Sequence, residues 1–117
     1  MHSMPFINSK VTVKISTEKE EQIKKRLGEA IAIVPGKSES WLMVGFEDEY
    51  TLYFKGDKCE KAAFVEVKIY GSANSTAFRQ LTAEICNIYE EELGIPKANI
   101  YVTYQAIADW GWNGDNF

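Results

Sequence analysis

One histidine, two cysteines and three prolines in 117 residues leave little from which to build metal or redox chemistry. The histidine, His2, stands among the first few residues, and Cys59 and Cys86 lie far apart with no C-x-x-C spacing. Neither a zinc site nor a redox pair is indicated, so both thiols are read as reduced and no metal is expected. Cys86 falls on an apolar helical stripe, where a free thiol serves as a small hydrophobe. Cys59 falls in a polar loop, open to reaction. Long apolar runs are missing as well: nothing approaches the roughly 20 residues needed to cross a bilayer. The N-terminal residues lack the basic region and apolar stretch of a secretory signal. Cytoplasmic synthesis is expected, with no membrane partner. Positive charge is scarce too, with 13 Lys and Arg against 17 Asp and Glu and a net charge of −4. The cations are scattered, which offers little counterion-release energy on a phosphate backbone, and nucleic acid is not an expected partner.

What the chain does have is an ordinary globular composition, 45% hydrophobic and 26% charged. At this length one hydrophobic core is the natural arrangement, and one domain over residues 5–117 is expected. Met1-His2-Ser3 precedes a second methionine and shows no periodicity. Residues 1–4 read as a leader or a remnant of expression, with a natural start at Met4-Pro5.

From Phe6 to Val13, β-branched residues and the alternation of Val11 and Val13 predict a first strand. Thr17 followed by Glu20 resembles a capping box, and Ile23, Leu27, Ala30, Ile31 and Val34 then recur at helical spacing until Pro35-Gly36 stops them. Trp41 to Phe46 is nearly continuous in apolar residues, the pattern of a strand covered on both faces. A short strand at Leu52 to Phe54 leads into a polar loop, Lys55 to Lys61, and Ala62 to Ile69 predicts a further strand ending at Tyr70-Gly71. Asn74 or Ser75 can cap a second helix carrying Phe78, Leu81, Ile85, Ile88, Tyr89 and Leu93, with Gly94-Ile95-Pro96 as its stop. Ile100 to Tyr104 is a last strand, before a tail containing Trp110-Gly111-Trp112-Asn113-Gly114 and ending at Phe117.

The order is two β-α-β units in tandem, an α/β arrangement with a four-stranded sheet and both helices on one face, as right-handed crossovers require. The other face is left bare, and its apolar residues would form a patch beyond monomer norms. Another subunit should cover it, in a closed symmetric assembly whose order the pattern alone does not choose.

Taken together, Met4-Pro5, Gly36-Lys37, Phe54 and Gly56, Gly71, Ile100-Tyr101 and Trp110-Gly111-Trp112-Asn113-Gly114 with Phe117 occur in an order and spacing that resemble the macrophage migration inhibitory factor family of tautomerases, from Pro5 to Phe117. That resemblance implies a homotrimer with sites at the subunit boundaries. It further implies keto-enol tautomerisation of phenylpyruvate-like or dopachrome-like compounds, an isomerase reaction without a cofactor on a small aromatic α-keto acid, with an N-terminal proline as general base. Carried onto this sequence, it makes Pro5 the base, Lys37 the binder of the substrate carboxylate, and Tyr101 a hydroxyl from the neighbouring subunit. Trp41, Trp110 and Phe117 become aromatic walls, and Phe6, Tyr70 and Thr103 further positions of the pocket. Trp41, Tyr70 and Thr103 depart from the tyrosine, isoleucine and asparagine usual there. Tyr70 adds bulk, although its backbone amide remains able to meet a carboxylate. Lys58-Cys59-Glu60-Lys61 also replaces a more usual run of small residues and proline. The same resemblance allows a cytokine-like ligand for a cell-surface receptor, released by a non-classical route, or a non-catalytic trimeric binding protein.

By themselves these residues have plainer readings. Pro5 would be a proline tolerated at a strand start, Lys37 a solvated loop lysine, and the aromatics core or interface rings, Trp112 above all. The charge runs Glu18 to Lys25 and Glu90 to Glu92 are the wet faces of the helices.

Overall fold

A computed structural model describes residues 4–117. Strand β1 (Pro5–Val11) runs into helix α1 (Thr17–Ala30), which returns to strand β2 (Met43–Glu47). The capping residue of α1 is Ser16, one position earlier than the Thr17 pattern suggested: its hydroxyl accepts the Lys19 N–H at 3.2 Å. The last apolar residues of the expected helix, Ile31–Ile33, tighten into a 3₁₀ turn before Pro35.

A small hairpin follows: the expected short strand, β3 (Tyr53–Phe54), pairs with β4 (Asp57–Lys58), which lies where a loop was expected. Lys55 and Gly56 both take positive φ, at 57° and 88°, which is the two-residue turn that matches strand twist. A Lys-Gly pair is an unusual way to write that turn, and nothing in its composition announced it. The second unit is β5 (Ala63–Tyr70), α2 (Ser75–Leu93) and β6 (Ile100–Ile107). Asn74 caps α2 by accepting the Ala77 N–H at 2.9 Å, and Gly94 ends it in the left-handed conformation at φ 68°. The tail closes with a hairpin of β7 (Gly111–Trp112) and β8 (Asp115–Asn116). Asn113 and Gly114 form its turn, with φ of 55° and 84°.

The sheet order is β2-β1-β5-β6. Within each unit the strands are parallel, β1 with β2 and β5 with β6, and the two units join antiparallel through β1 and β5, with Pro5 opposite Ile69 and Val11 opposite Ala63. Burial in β1 and β5 alternates strictly. Ile7, Val11, Val65, Val67 and Ile69 face the helices and pack with Ile23, Leu27, Leu81, Ile85 and Ile88 in one core. Two helices therefore cover one face of a four-stranded sheet, as the tandem units implied. Ser9 is the one buried polar residue on this side among the described residues, and the Tyr89 hydroxyl donates to it. Across the outside of the helices, Arg26 bridges Glu91 at 2.8 Å and Glu92 at 3.1 Å.

The opposite face departs from expectation in two ways. Trp41 belongs to a 3₁₀ turn, Glu39–Trp41, and β2 is an edge strand whose Met43 is 70% exposed, so its apolar run is not covered on both sides within one chain. The face is also less apolar than the run of hydrophobic letters suggested. Lys10 pairs with Glu66 at 3.2 Å, and the Asn8 amide donates to Glu47 at 2.8 Å, between Phe6, Phe64 and Tyr101.

Candidate active site

Pro5 opens β1 at the end of the sheet where the C-terminal hairpin folds over. The antiparallel register sets it against Ile69, and the parallel register carries the same row to Ala106 on β6. Its ring is buried, yet it borders a cavity of about 560 Å³ walled by Phe6, Trp41, Met43, Trp110 and Trp112. Met4 is enclosed there too, at 4% exposure, and its carbonyl accepts the Tyr70 N–H at 3.2 Å. Met4 thus extends the strand pairing, whereas residues 1–3 of the expected leader lie outside the described residues.

The walls come from three separate pieces of chain. The 3₁₀ turn after α1 brings Trp41, whose ring meets Trp112 edge-on at 5.2 Å between centroids. The tail hairpin brings Trp110 and Trp112, and Trp112 stacks parallel to Phe117 at 6.2 Å. Phe117 in turn lies 5.3 Å from the Tyr70 ring, so four rings run in series along one side. The Phe117 N–H, bonded to the Trp110 carbonyl at 3.1 Å, pins the chain end in that position.

Lys37 reaches the same end of the sheet from the loop after α1. Its ammonium donates to the Tyr70 carbonyl at 2.8 Å, and burial lowers its pKa from the ordinary lysine value. A partly desolvated cation at this end of the sheet attracts an anion and depresses the basicity of any amine close to it.

Of the residues singled out from the sequence, Pro5, Phe6, Trp41 and Trp110 border one cavity, with Lys37, Tyr70 and Phe117 adjoining it. Tyr101 and Thr103 stand elsewhere. They pair with Phe64 and Glu66 on β5, and Tyr101 lies five residues from Ala106 along β6, roughly 17 Å at the strand rise. Tyr101 is 57% exposed and meets Phe54 edge-on at 5.5 Å in a second, apolar groove shared with Leu52, Tyr53 and Asn99. Within one chain the two sets do not meet.

Of the cavity-lining residues that sequence reasoning missed, two matter most here, Trp112 and Lys68. Trp112, read as structural, lines it as fully as Trp110 does. The Asn113-Gly114 turn was the available signal, since a tight hairpin folds the residue before it back on the chain end. Lys68 also lines the cavity, and the strict alternation of Val65, Val67 and Ile69 places it on the opposite face of β5.

The family model described as macrophage migration inhibitory factor (MIF) matches residues 4–117. The chain belongs to the MIF family. Among solved structures, MIF2 of Leishmania major is 32% identical, with a TM-score of 0.91 over 99% of this chain and 100% of that one. The MIF homologue of Prochlorococcus marinus is 26% identical, with a TM-score of 0.79 over 96% and 98%. The MIF-like protein of Entamoeba histolytica, at 23% identity, shares the fold with a TM-score of 0.86 over 97% and 99%. No curated protein sequence matches the chain. Membership in the MIF family accounts for the doubled β-α-β frame.

Proposed function

We propose that this protein is a cofactor-independent keto-enol tautomerase that uses Pro5 as its general base once the residues ahead of it are removed, and that acts on small aromatic α-keto acids as a homotrimer. The observation that carries this reading is the position of Pro5: a buried ring at the wall of an aromatic cavity, one strand away from the Tyr70 carbonyl that holds the Lys37 ammonium.

With Met4 attached, the Pro5 nitrogen is an amide nitrogen, carrying neither a proton nor a basic lone pair. Removal of Met4 makes it a secondary amine, and a chain-terminal amine titrates at roughly 7.7 to 8.0 when unperturbed. Burial and the nearby Lys37 push it lower, so a proton-accepting form is present at neutral pH. The same cleavage releases the Tyr70 N–H from the Met4 carbonyl. Lys37 and that amide then offer a cation and a donor to the substrate carboxylate. Pro5 removes a proton from the carbon beside the keto group, the carbonyl oxygen gains one, and the product is the enol isomer with atoms and electrons conserved. The fixed ring geometry of proline holds the lone pair in one direction, which limits the reorganisation the step requires.

The separation of Tyr101 and Thr103 from Pro5 supports the trimer. A neighbour placing the Tyr101 end of its sheet against this cavity would cover the exposed groove and complete the site in one contact. The test is phenylpyruvate enolisation by protein beginning at Pro5 compared with its Pro5→Gly counterpart. Loss of about 10²- to 10⁴-fold in kcat is the expected size for a general base, and an unchanged kcat would remove Pro5 from the mechanism.

A further inference from the structure

Pro5 has a second cation near it, on the other side of its strand partner. Lys68 and Tyr70 flank Ile69, the residue opposite Pro5, and stand roughly 7 Å apart as alternate residues of one strand. Tyr70 holds the Lys37 ammonium through its carbonyl, whereas Lys68 borders the cavity with its own side chain. On the same face Lys10 is matched by Glu66 and Asn8 by Glu47. Lys68 has no ion pair among the described residues. It is half-buried beside a wall of three tryptophans, surroundings that strengthen its attraction for an anion relative to open water.

On the tautomerase reading above, we infer that the cavity selects aromatic acids with two anionic groups: the 2-oxo carboxylate meets Lys37, the ring lies against Trp41 and Trp112, and a second carboxylate meets Lys68. Such a substrate uses both cations and leaves the apolar walls to its ring. A mono-acid such as phenylpyruvate leaves Lys68 without a partner.

The test compares phenylpyruvate with its para-carboxylated analogue on mass-verified protein beginning at Pro5, in the natural sequence, Lys68→Met and Lys68→Arg. The ratio of KM for the diacid to KM for phenylpyruvate should rise about tenfold in Lys68→Met and return toward the starting value in Lys68→Arg, the size expected for one charge-assisted bond. A ratio that Lys68→Met does not move overturns the inference. So does a Lys68→Met variant that weakens subunit association without moving the ratio, since Lys68 would then serve a neighbouring chain. If neither acid turns over, the tautomerase reading fails by itself, and binding decides this one. Calorimetry with terephthalate and benzoate should then show the diacid binding about tenfold more tightly, with that advantage lost in Lys68→Met. Equal binding of the two acids would count against Lys68.

Discussion

The two faces of the sheet were built to different degrees of completion. On the helix side Ile7, Val65, Val67 and Ile69 are at most 1% exposed, and Ser9, the one buried polar residue among the described residues, has a hydrogen-bonding partner. On the other side Met43 and Tyr101 stand largely in solvent, the cavity at Pro5 lies at one end, and a separate aromatic groove lies at the other. The helix side carries the stability of a single chain. On the proposed function, the open side carries the chemistry and a second copy closes it.

The largest effects should separate these faces. Ile7→Ala on the helix side leaves a cavity in a filled core and should cost about 2–5 kcal/mol in chemical denaturation. Phe64→Ala on the open side should cost less than half of that in dilute monomer, yet shift the association equilibrium measured by sedimentation. If both variants destabilise the dilute chain alike, the faces do not differ as described. Next in size is Ser9→Ala, which leaves the buried Tyr89 hydroxyl without its acceptor and should cost about 1–3 kcal/mol.

How much of this could be read from the letters also divides by face. The helix side was legible: Leu81, Ile85 and Ile88 at helical spacing and Val65, Val67 and Ile69 in alternation identify one core, since burial in one chain imposes one period. On the open side, Trp41 read as a strand residue because an apolar run does not reveal where a 3₁₀ turn interrupts it. Trp112 read as structural because its role depends on a hairpin of only two residues per strand. Lys37, Trp41, Trp110 and Phe117 were found through likeness to a family, not through periodicity, because the contacts among them join distant parts of the chain. Tyr101 is the informative case: sequence likeness linked it to Pro5, and the fold of one chain keeps the two apart.

Smaller effects sharpen the same contrast. Tyr101→Phe should raise KM for an aromatic keto acid a few-fold, through loss of about one hydrogen bond, while leaving the stability of the dilute chain unaltered within about 0.5 kcal/mol. A denaturation midpoint that falls along with substrate binding would place Tyr101 in the core of the fold. The helix side offers a pH signature. Burial pushes the Tyr104 phenol up from 10 to about 12, against a weaker opposing hydrogen bond with Thr82. Between those values the unfolded chain has released a proton that the folded chain retains, so stability present below pH 10 is lost as pH rises toward 12. Denaturant titrations across that window should show the decline, and Tyr104→Phe should make it shallower.

The most direct measurement is of phenylpyruvate enolisation by two samples whose masses are verified, one beginning at Pro5 and one retaining Met4. The account predicts turnover only where Pro5 is the first residue, because only there does its nitrogen carry a basic lone pair and the Tyr70 amide stand clear of the Met4 carbonyl. Equal rates from the two samples would contradict it.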